Sequence, residues 1–168
     1  MSQDRWTARS LAAQAMGKID PLTKGVVPPI HVATTFIRDE DNAYSSGFMY
    51  GRPDNETVRQ TEAVLAMLEE AKAGALLFGS GMAAIHAALA ATLRAGDRVV
   101  AARAVYGSTR QLFDRVFTRF GVRFEYVDAT DLSAVEAALP GARLVYVETI
   151  SNPTTFVVDI AAVASLAH

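Results

Sequence analysis

The sequence predicts an α/β domain, a mainly parallel sheet with helices on both faces, and three observations carry that expectation. Short apolar runs at 75–78, 99–102, 122–127 and 144–148 alternate with stretches of helical spacing. Strands alternating with helices call for right-handed crossovers and therefore parallel pairing. The turn Gly79-Ser80-Gly81 stands between the first run and an alanine-rich helix, the strand–turn–helix grammar in which folds hold phosphates.

The composition suits a packed domain. Of 168 residues, 51% are hydrophobic and the mean hydropathy is +0.17, enough for a core and too apolar for a disordered chain. A net charge of −2 and a pI near 5.9 offer no attraction for nucleic acid or an anionic membrane. The absence of cysteine removes disulfides, thiolate catalysis and Cys-ligated metals together. His31, His86 and His168 are scattered, with no H-x-x-x-H pair for a metal. The N-terminus lacks the basic-then-apolar order of a secretion signal, and Arg94, Arg98 and Arg103 interrupt the apolar runs before membrane-spanning length. A cytoplasmic protein is expected.

Residues 1–56 read as an arm. They carry Pro21, Pro28, Pro29 and Pro53, one helix-like patch from Trp6 to Met16, an extended "PPIHVATTF" and a polar loop, "RDEDNAYSSGFMYGR". Such a segment buries little of its own backbone and is expected to lie across another surface, that of a second subunit. Asn55 then caps a helix running to about Ala73, with Val58, Val64, Leu65, Leu68 and Ala71 on one face and Gly74 as its stop.

The strand at 75–78 follows, then a helix over 82–94 ended by Gly96 and a strand at 99–102. A helix over 108–120 is stopped by Gly121 and leads into the strand at 122–127. Ser133 and Glu136 have capping-box spacing for a short helix closed by Pro140-Gly141. After the strand at 144–148, Asp159 caps a last helix that has barely begun at His168, so the expectation is a chain cut short.

Four places in this frame could carry chemistry. Gly79-Ser80-Gly81 lets backbone approach an anion, with the amides of Gly81 and Met82 and the helix dipole aimed at it; otherwise it is a simple connecting turn. Gly79-x-Gly81-x-x-Ala84 also satisfies a dinucleotide fingerprint, but the next strand ends Ala101-Ala102-Arg103 without an acid, which leaves only an NADP-type variant. A serine-hydrolase elbow fails, because Phe78 stands where it needs glycine.

Tyr106, in "AVYGST", emerges past a strand at the carboxyl edge of the sheet, where an aromatic ring either stacks on a planar ligand or packs its own loop. Asn152, in "VETISNPTT", occupies the corresponding place after a later strand, as a hydrogen-bond donor or a plain Asn-Pro turn. Tyr50 and Arg52, in "YGRPDNET", pair a hydroxyl with a guanidinium suited to phosphate. The acids Asp39, Glu40 and Asp41 read as a solvated loop, and Glu69-Glu70 as an exposed helix end.

Taken in order, "PPIHVATTF", "YGR…NET", "SGMAAI", "VYGST" and "ETISNPT" resemble the Cys/Met-metabolism family of pyridoxal-phosphate enzymes, over nearly the whole chain from Pro28 to His168. These are the cystathionine γ-synthases, cystathionine lyases, methionine γ-lyases and O-acylhomoserine sulfhydrylases. The resemblance implies the aspartate-aminotransferase-like fold, fold type I, with residues 57–168 as the first part of its cofactor-binding large domain and 1–56 as arm and intersubunit loop. It implies pyridoxal 5'-phosphate as cofactor, an amino-acid substrate such as cystathionine or an O-acylhomoserine, and a homo-oligomer.

By matching motif, Gly81 and Met82 would hold the phosphate through backbone amides. Tyr106 would stack on the pyridine ring and assist proton transfer, and Asn152 would hydrogen-bond the ring's phenolic oxygen. Tyr50 and Arg52 would reach the phosphate of a neighbouring subunit. Glu56 stands where the family has proline, a position that can begin a helix with either residue. The family's ring-nitrogen aspartate and Schiff-base lysine fall beyond His168, and Lys18, Lys24 and Lys72 match neither motif. The readings left open are the N-terminal portion of such an enzyme, a non-catalytic phosphate-binding or assembly remnant, and an NADP-binding Rossmann domain.

Overall fold

The structure, a computed structural model, describes residues 7–45 and 47–168. The chain divides into two compact units, one running to Leu77 and the other spanning Phe78–His168.

In the first unit, α1 (Ala8–Gln14) leads into a 3₁₀ turn over Ala15–Gly17, and α2 spans Glu56–Leu68. Trp6, expected to open the first helix, lies outside the described residues. Asn55 is in extended conformation and its side chain accepts the Thr57 N–H at 2.9 Å, so the expected cap is formed. The same amide donates to the His31 carbonyl at 3.0 Å, while the His31 N–H donates to Thr57 Oγ1 at 2.9 Å. One residue thus starts the helix and ties the proline-rich arm to it. Glu56 sits at the first helical position, where proline is tolerated and an acid favours the dipole, and it accepts from Gln60 at 2.9 Å.

Two expectations fail here. Helix α2 ends at Leu68 rather than near Ala73: Glu70 turns left-handed at φ 51°, and adjacent carboxylates at a helix C-terminus oppose its dipole. Residues 75–78 form no strand. The Leu77 N–H donates to Glu62 at 2.8 Å instead of to a ladder, and Leu76 stays 79% exposed. An apolar run becomes a strand only with a partner, and none of the three strands pairs with it.

The second unit contains a parallel sheet of order β2-β1-β3, with β1 over Arg98–Ala102, β2 over Arg123–Val127 and β3 over Leu144–Tyr146. The register aligns Val99 with Phe124 and Leu144, and Val100 with Glu125 and Val145. Period-two alternation sends the side chains of β1 into two cores. Val99 and Ala101 meet Leu89 from α3 (Gly81–Thr92) and Phe113 from α4 (Gly107–Arg115). Val100 and Ala102 meet Val135 from α5 (Leu132–Ala138) and Val163 from α6 (Ile160–Ala167). Helices therefore cover both faces, as expected. Phe113 is fully buried, stacked on Phe124 at 4.5 Å and edge-on to Tyr146 at 5.1 Å, which is worth about 2–3 kcal/mol of burial.

Boundaries shift where local chemistry decides them. Helix α4 stops at Arg115 and gives way to a 3₁₀ turn over Phe117–Phe120, terminated by Gly121 at φ 80°. The cap of α5 is Asp131, not Ser133: its carboxylate accepts the N–H groups of Ser133 and Ala134 and leaves Ser133 inside the first turn. A carboxylate wins because it adds charge to the same hydrogen bond. The guanidinium of Arg98 closes the other end of α5, donating to the carbonyls of Ala138 and Pro140 and pairing with Glu125. The third strand ends at Tyr146, two residues early, because the chain then turns into the short hairpin bridged at Ile150 and Val157. Asp159 caps α6 as expected, accepting from the Ala162 N–H at 3.0 Å. No described helix is long and apolar enough to cross a membrane.

Candidate functional site

The glycine turn makes an open helix end. Ser80 is extended and its Oγ accepts the Ala83 N–H at 3.1 Å, while the Ala84 N–H closes on the Ser80 carbonyl at 3.1 Å. The amides of Gly81 and Met82 precede the first intrahelical donor, the Ala84 N–H, so α3 leaves them without an intrahelical acceptor at its positive end. A Cβ built on Gly79 or Gly81 meets nothing within 4 Å. Packing therefore does not demand glycine here, and the space above the turn suits a group that approaches backbone closely.

Two side chains tie that end to the sheet. Thr109, fully buried in α4, directs its hydroxyl to Met82 Sδ at 3.8 Å, and it lies close enough to Tyr146 at the end of β3 to influence that phenol. Burial pushes the Tyr146 phenol above its ordinary value; the Thr109 hydrogen bond opposes this and the charge of Glu148 adds to it. Tyr106 caps α4 without a side-chain bond of its own, and the residue is 45% exposed. Its N–H donates to both carboxylate oxygens of Glu148, at 3.0 and 3.1 Å.

Asn152 is exposed at the tip of the hairpin that follows Glu148. Buried Ser151 holds that tip from beneath: its Oγ contacts Thr154 Oγ1 at 2.6 Å and accepts the Phe156 N–H at 3.0 Å. Met82, Tyr106 and the hairpin bearing Asn152 are thus joined through Thr109, Tyr146 and Glu148 at the carboxyl edge of a parallel sheet, where open α/β folds bind ligands. A cavity of about 380 Å³ also opens at that edge between Arg103, Asp128, Thr130, Ser151 and Phe156, but none of the expected site residues lines it.

Tyr50 and Arg52 belong to the first unit, where they line an open recess of about 390 Å³ with Met49 and Pro53. The Arg52 guanidinium lies 5.0 Å from the centre of the Tyr50 ring. Their presentation depends on Gly51: its N–H donates to the Thr34 carbonyl at 2.8 Å beside an antiparallel bridge between Thr35 and Tyr50, and a Cβ there would stand 2.7 Å from the Ala33 oxygen. "PPIHVATTF" and "YGRPDNET" are therefore one hydrogen-bonded piece.

Sequence reasoning missed Glu148, Thr109 and Tyr146. Glu148 and Thr109 lie inside quoted motifs, yet their partners are 42 and 27 residues away, and no local spacing reveals that.

Comparison with known proteins identifies the family. The family model described as "Cys/Met metabolism PLP-dependent enzyme" matches residues 9–168. Cystathionine gamma-synthase of Mycobacterium bovis is 43% identical over 99% of this chain and 44% of its own length. O-succinylhomoserine sulfhydrylase of Pseudomonas aeruginosa is 46% identical over 73% of this chain and 30% of its own. Among solved structures, metB from Corynebacterium glutamicum superposes with a TM-score of 0.87 at 34% identity, covering 99% of this chain and 43% of that one. This chain spans less than half the length of these relatives. The Rossmann alternative falls with these matches, and the strand its fingerprint should follow is not formed. By the family match and by its fold, the chain belongs to the Cys/Met-metabolism family of pyridoxal-phosphate-dependent enzymes.

Proposed function

We propose that this chain supplies the phosphate- and ring-holding part of an enzyme that makes or breaks a C–S bond at the β or γ carbon of a sulfur amino acid. Cystathionine and O-acylhomoserines are the substrate class. The observation that carries the reading is the open end of α3, where a Cβ built on Gly79 or Gly81 meets no atom within 4 Å and the first amides of the helix have no intrahelical acceptor. That end fits a phosphate dianion: it offers backbone donors, a helix dipole and no side chain in the way.

In this reading Gly81 and Met82 donate their N–H groups to the phosphate and fix its place relative to the sheet. Tyr106 lays its exposed ring on the pyridine, orienting it and shielding one face from water, and its hydroxyl moves a proton near the substrate. Asn152 donates from its side-chain amide to the phenolic oxygen. Bound pyridoxal phosphate supplies an electron-withdrawing ring that stabilises negative charge on the amino acid's carbon.

Tyr50 and Arg52 serve the phosphate of a neighbouring copy, with residues 1–56 as arm and intersubunit loop and 57–168 as the cofactor-binding part. A homo-oligomer is the supported assembly, because Val26, Val27, Ile30, Val32 and Ile37 of the arm are all exposed and apolar. Sedimentation at micromolar concentration should therefore show a dimer or larger, and a stable monomer would remove the intersubunit role. A cytoplasmic setting goes with this chemistry.

The test of the site is equilibrium dialysis of the chain against pyridoxal phosphate and against pyridoxal. Phosphate recognition predicts binding about tenfold or more tighter for the phosphorylated form, with inorganic phosphate competing. Equal retention of the two, or none, would remove the reading.

A further inference from the structure

We infer that Glu148 is a positioning residue for Tyr106, holding the backbone from which the ring-stacking side chain projects; this rests on the reading of Tyr106 given above. Tyr106 stands between two buried anchors, Val105 in the core beneath α5 and α6 and Thr109 in the first turn of α4. Those anchors fix the residues on either side and leave Tyr106 itself on the surface. Its own backbone is pinned by Glu148, whose two oxygens share the Tyr106 N–H at 3.0 and 3.1 Å across 42 residues of sequence.

The choice of a carboxylate points to function rather than filling. Glu148 is half-buried, and among the described residues no cation pairs with it. Its charge is balanced by the N-terminus of α4, where Tyr106 lacks a capping side chain. A charged acceptor holds an N–H more strongly than a neutral one. Here it joins the end of β3 to the start of α4, so the hairpin bearing Asn152 and the loop bearing Tyr106 keep one spacing. Both groups assigned to the cofactor ring are registered against each other by this contact.

The test compares Glu148→Ala and Glu148→Gln with the unaltered chain. The first readout is amide hydrogen exchange followed by NMR, which needs no cofactor. In Glu148→Ala the Tyr106 amide should exchange about tenfold faster or more, while the amide of Val100 in central β1 changes little. In Glu148→Gln the side-chain carbonyl still accepts, and protection at Tyr106 should stay within about threefold.

The second readout is the circular dichroism of bound pyridoxal phosphate, which reports ring orientation. It should weaken in the alanine variant, with affinity about fivefold or more lower, and return with glutamine. Unchanged Tyr106 exchange in Glu148→Ala would overturn the inference, as would acceleration equal at Tyr106 and Val100, the mark of general destabilisation. Failure of the unaltered chain to bind pyridoxal phosphate would instead remove the proposed function, and the exchange comparison would still decide whether Glu148 holds Tyr106.

Discussion

Asn55 and His31 form a two-way junction: the Asn55 amide donates to the His31 carbonyl at 3.0 Å while its oxygen caps α2 at the Thr57 N–H. Removing it loses both a helix cap and the arm's tether. Asn55→Ala should lower stability by about 1–2 kcal/mol, seen as a lower denaturation midpoint. Asn55→Asp keeps the cap but not the donor and should lose about half as much. Equal losses for the two variants would show that the tether, not the cap, carries the effect.

Gly51→Ala places a methyl 2.7 Å from the Ala33 oxygen, which is backbone and cannot swing away. The bridge between Thr35 and Tyr50 should open, at a cost of about 1–3 kcal/mol. Limited proteolysis should then cut faster within residues 31–52 and not within Phe78–His168.

Gly81→Ala should behave oppositely. Its methyl meets no protein atom within 4 Å, and alanine is the better helix former, so stability should hold or rise by up to about 1 kcal/mol. The methyl nevertheless enters the space assigned to phosphate, so affinity for pyridoxal phosphate should fall about tenfold. A parallel loss of stability and affinity would place the effect in folding rather than in the site.

The pair Tyr126 and Asp114 sets a pH window. Burial pushes the Asp114 carboxyl up, but hydrogen bonds from Tyr126 at 2.6 Å and Arg110 at 2.6 Å, with the charge of Arg110, bring it below its usual 3.8. Burial and the same hydrogen bond raise the Tyr126 phenol above 10.0. The lowered carboxyl gives stability that is present above pH 3.8 and lost as the pH falls through its folded value. The raised phenol gives stability that is full below pH 10.0 and lost as the pH rises above it. Tyr126→Phe should therefore flatten the alkaline limb and weaken the acid one, measured as denaturation midpoints from pH 2 to 11.

None of Lys18, Lys24 and Lys72 lies in the Phe78–His168 unit that carries Gly81, Tyr106 and Asn152. Lys24 sits in a tight turn at φ 61°, its N–H donated to the Asp20 carbonyl. Borohydride reduction of the 168-residue chain with pyridoxal phosphate should leave no stoichiometric phosphopyridoxyl-lysine on peptide mapping. Stoichiometric trapping at Lys24 would make the arm a source of the catalytic amine.

Signals that act within a few residues were legible in the sequence. Asp159, Asn55 and Gly121 cap or stop the elements expected of them, because caps and left-handed turns are local chemistry. The failures needed distant information. Residues 75–78 look like a strand in apolar pattern, but pairing depends on neighbours that spacing does not show. Ser133 has capping-box spacing, and a carboxylate two residues earlier took the role. Gly81, Tyr106 and Asn152 were visible as motifs, whereas Thr109 and Glu148 were hidden because their contacts are with distant elements: Thr109 of α4 with Met82 of α3, and Glu148 after β3 with Tyr106 before α4.

Central β1 has a consequence for how the second unit comes apart. Val99 and Ala101 belong to one core and Val100 and Ala102 to the other, so both helical layers depend on the same five residues. Loosening either layer uncovers that strand, and a truncation such as Val100→Ala should weaken the grip on α5 and α6 while disturbing the backbone that α3 and α4 rest on. Melting of the Phe78–His168 unit should then be a single cooperative event rather than a staged one, with calorimetric and van't Hoff enthalpies equal, and substitutions placed on opposite faces of β1 should interact instead of adding.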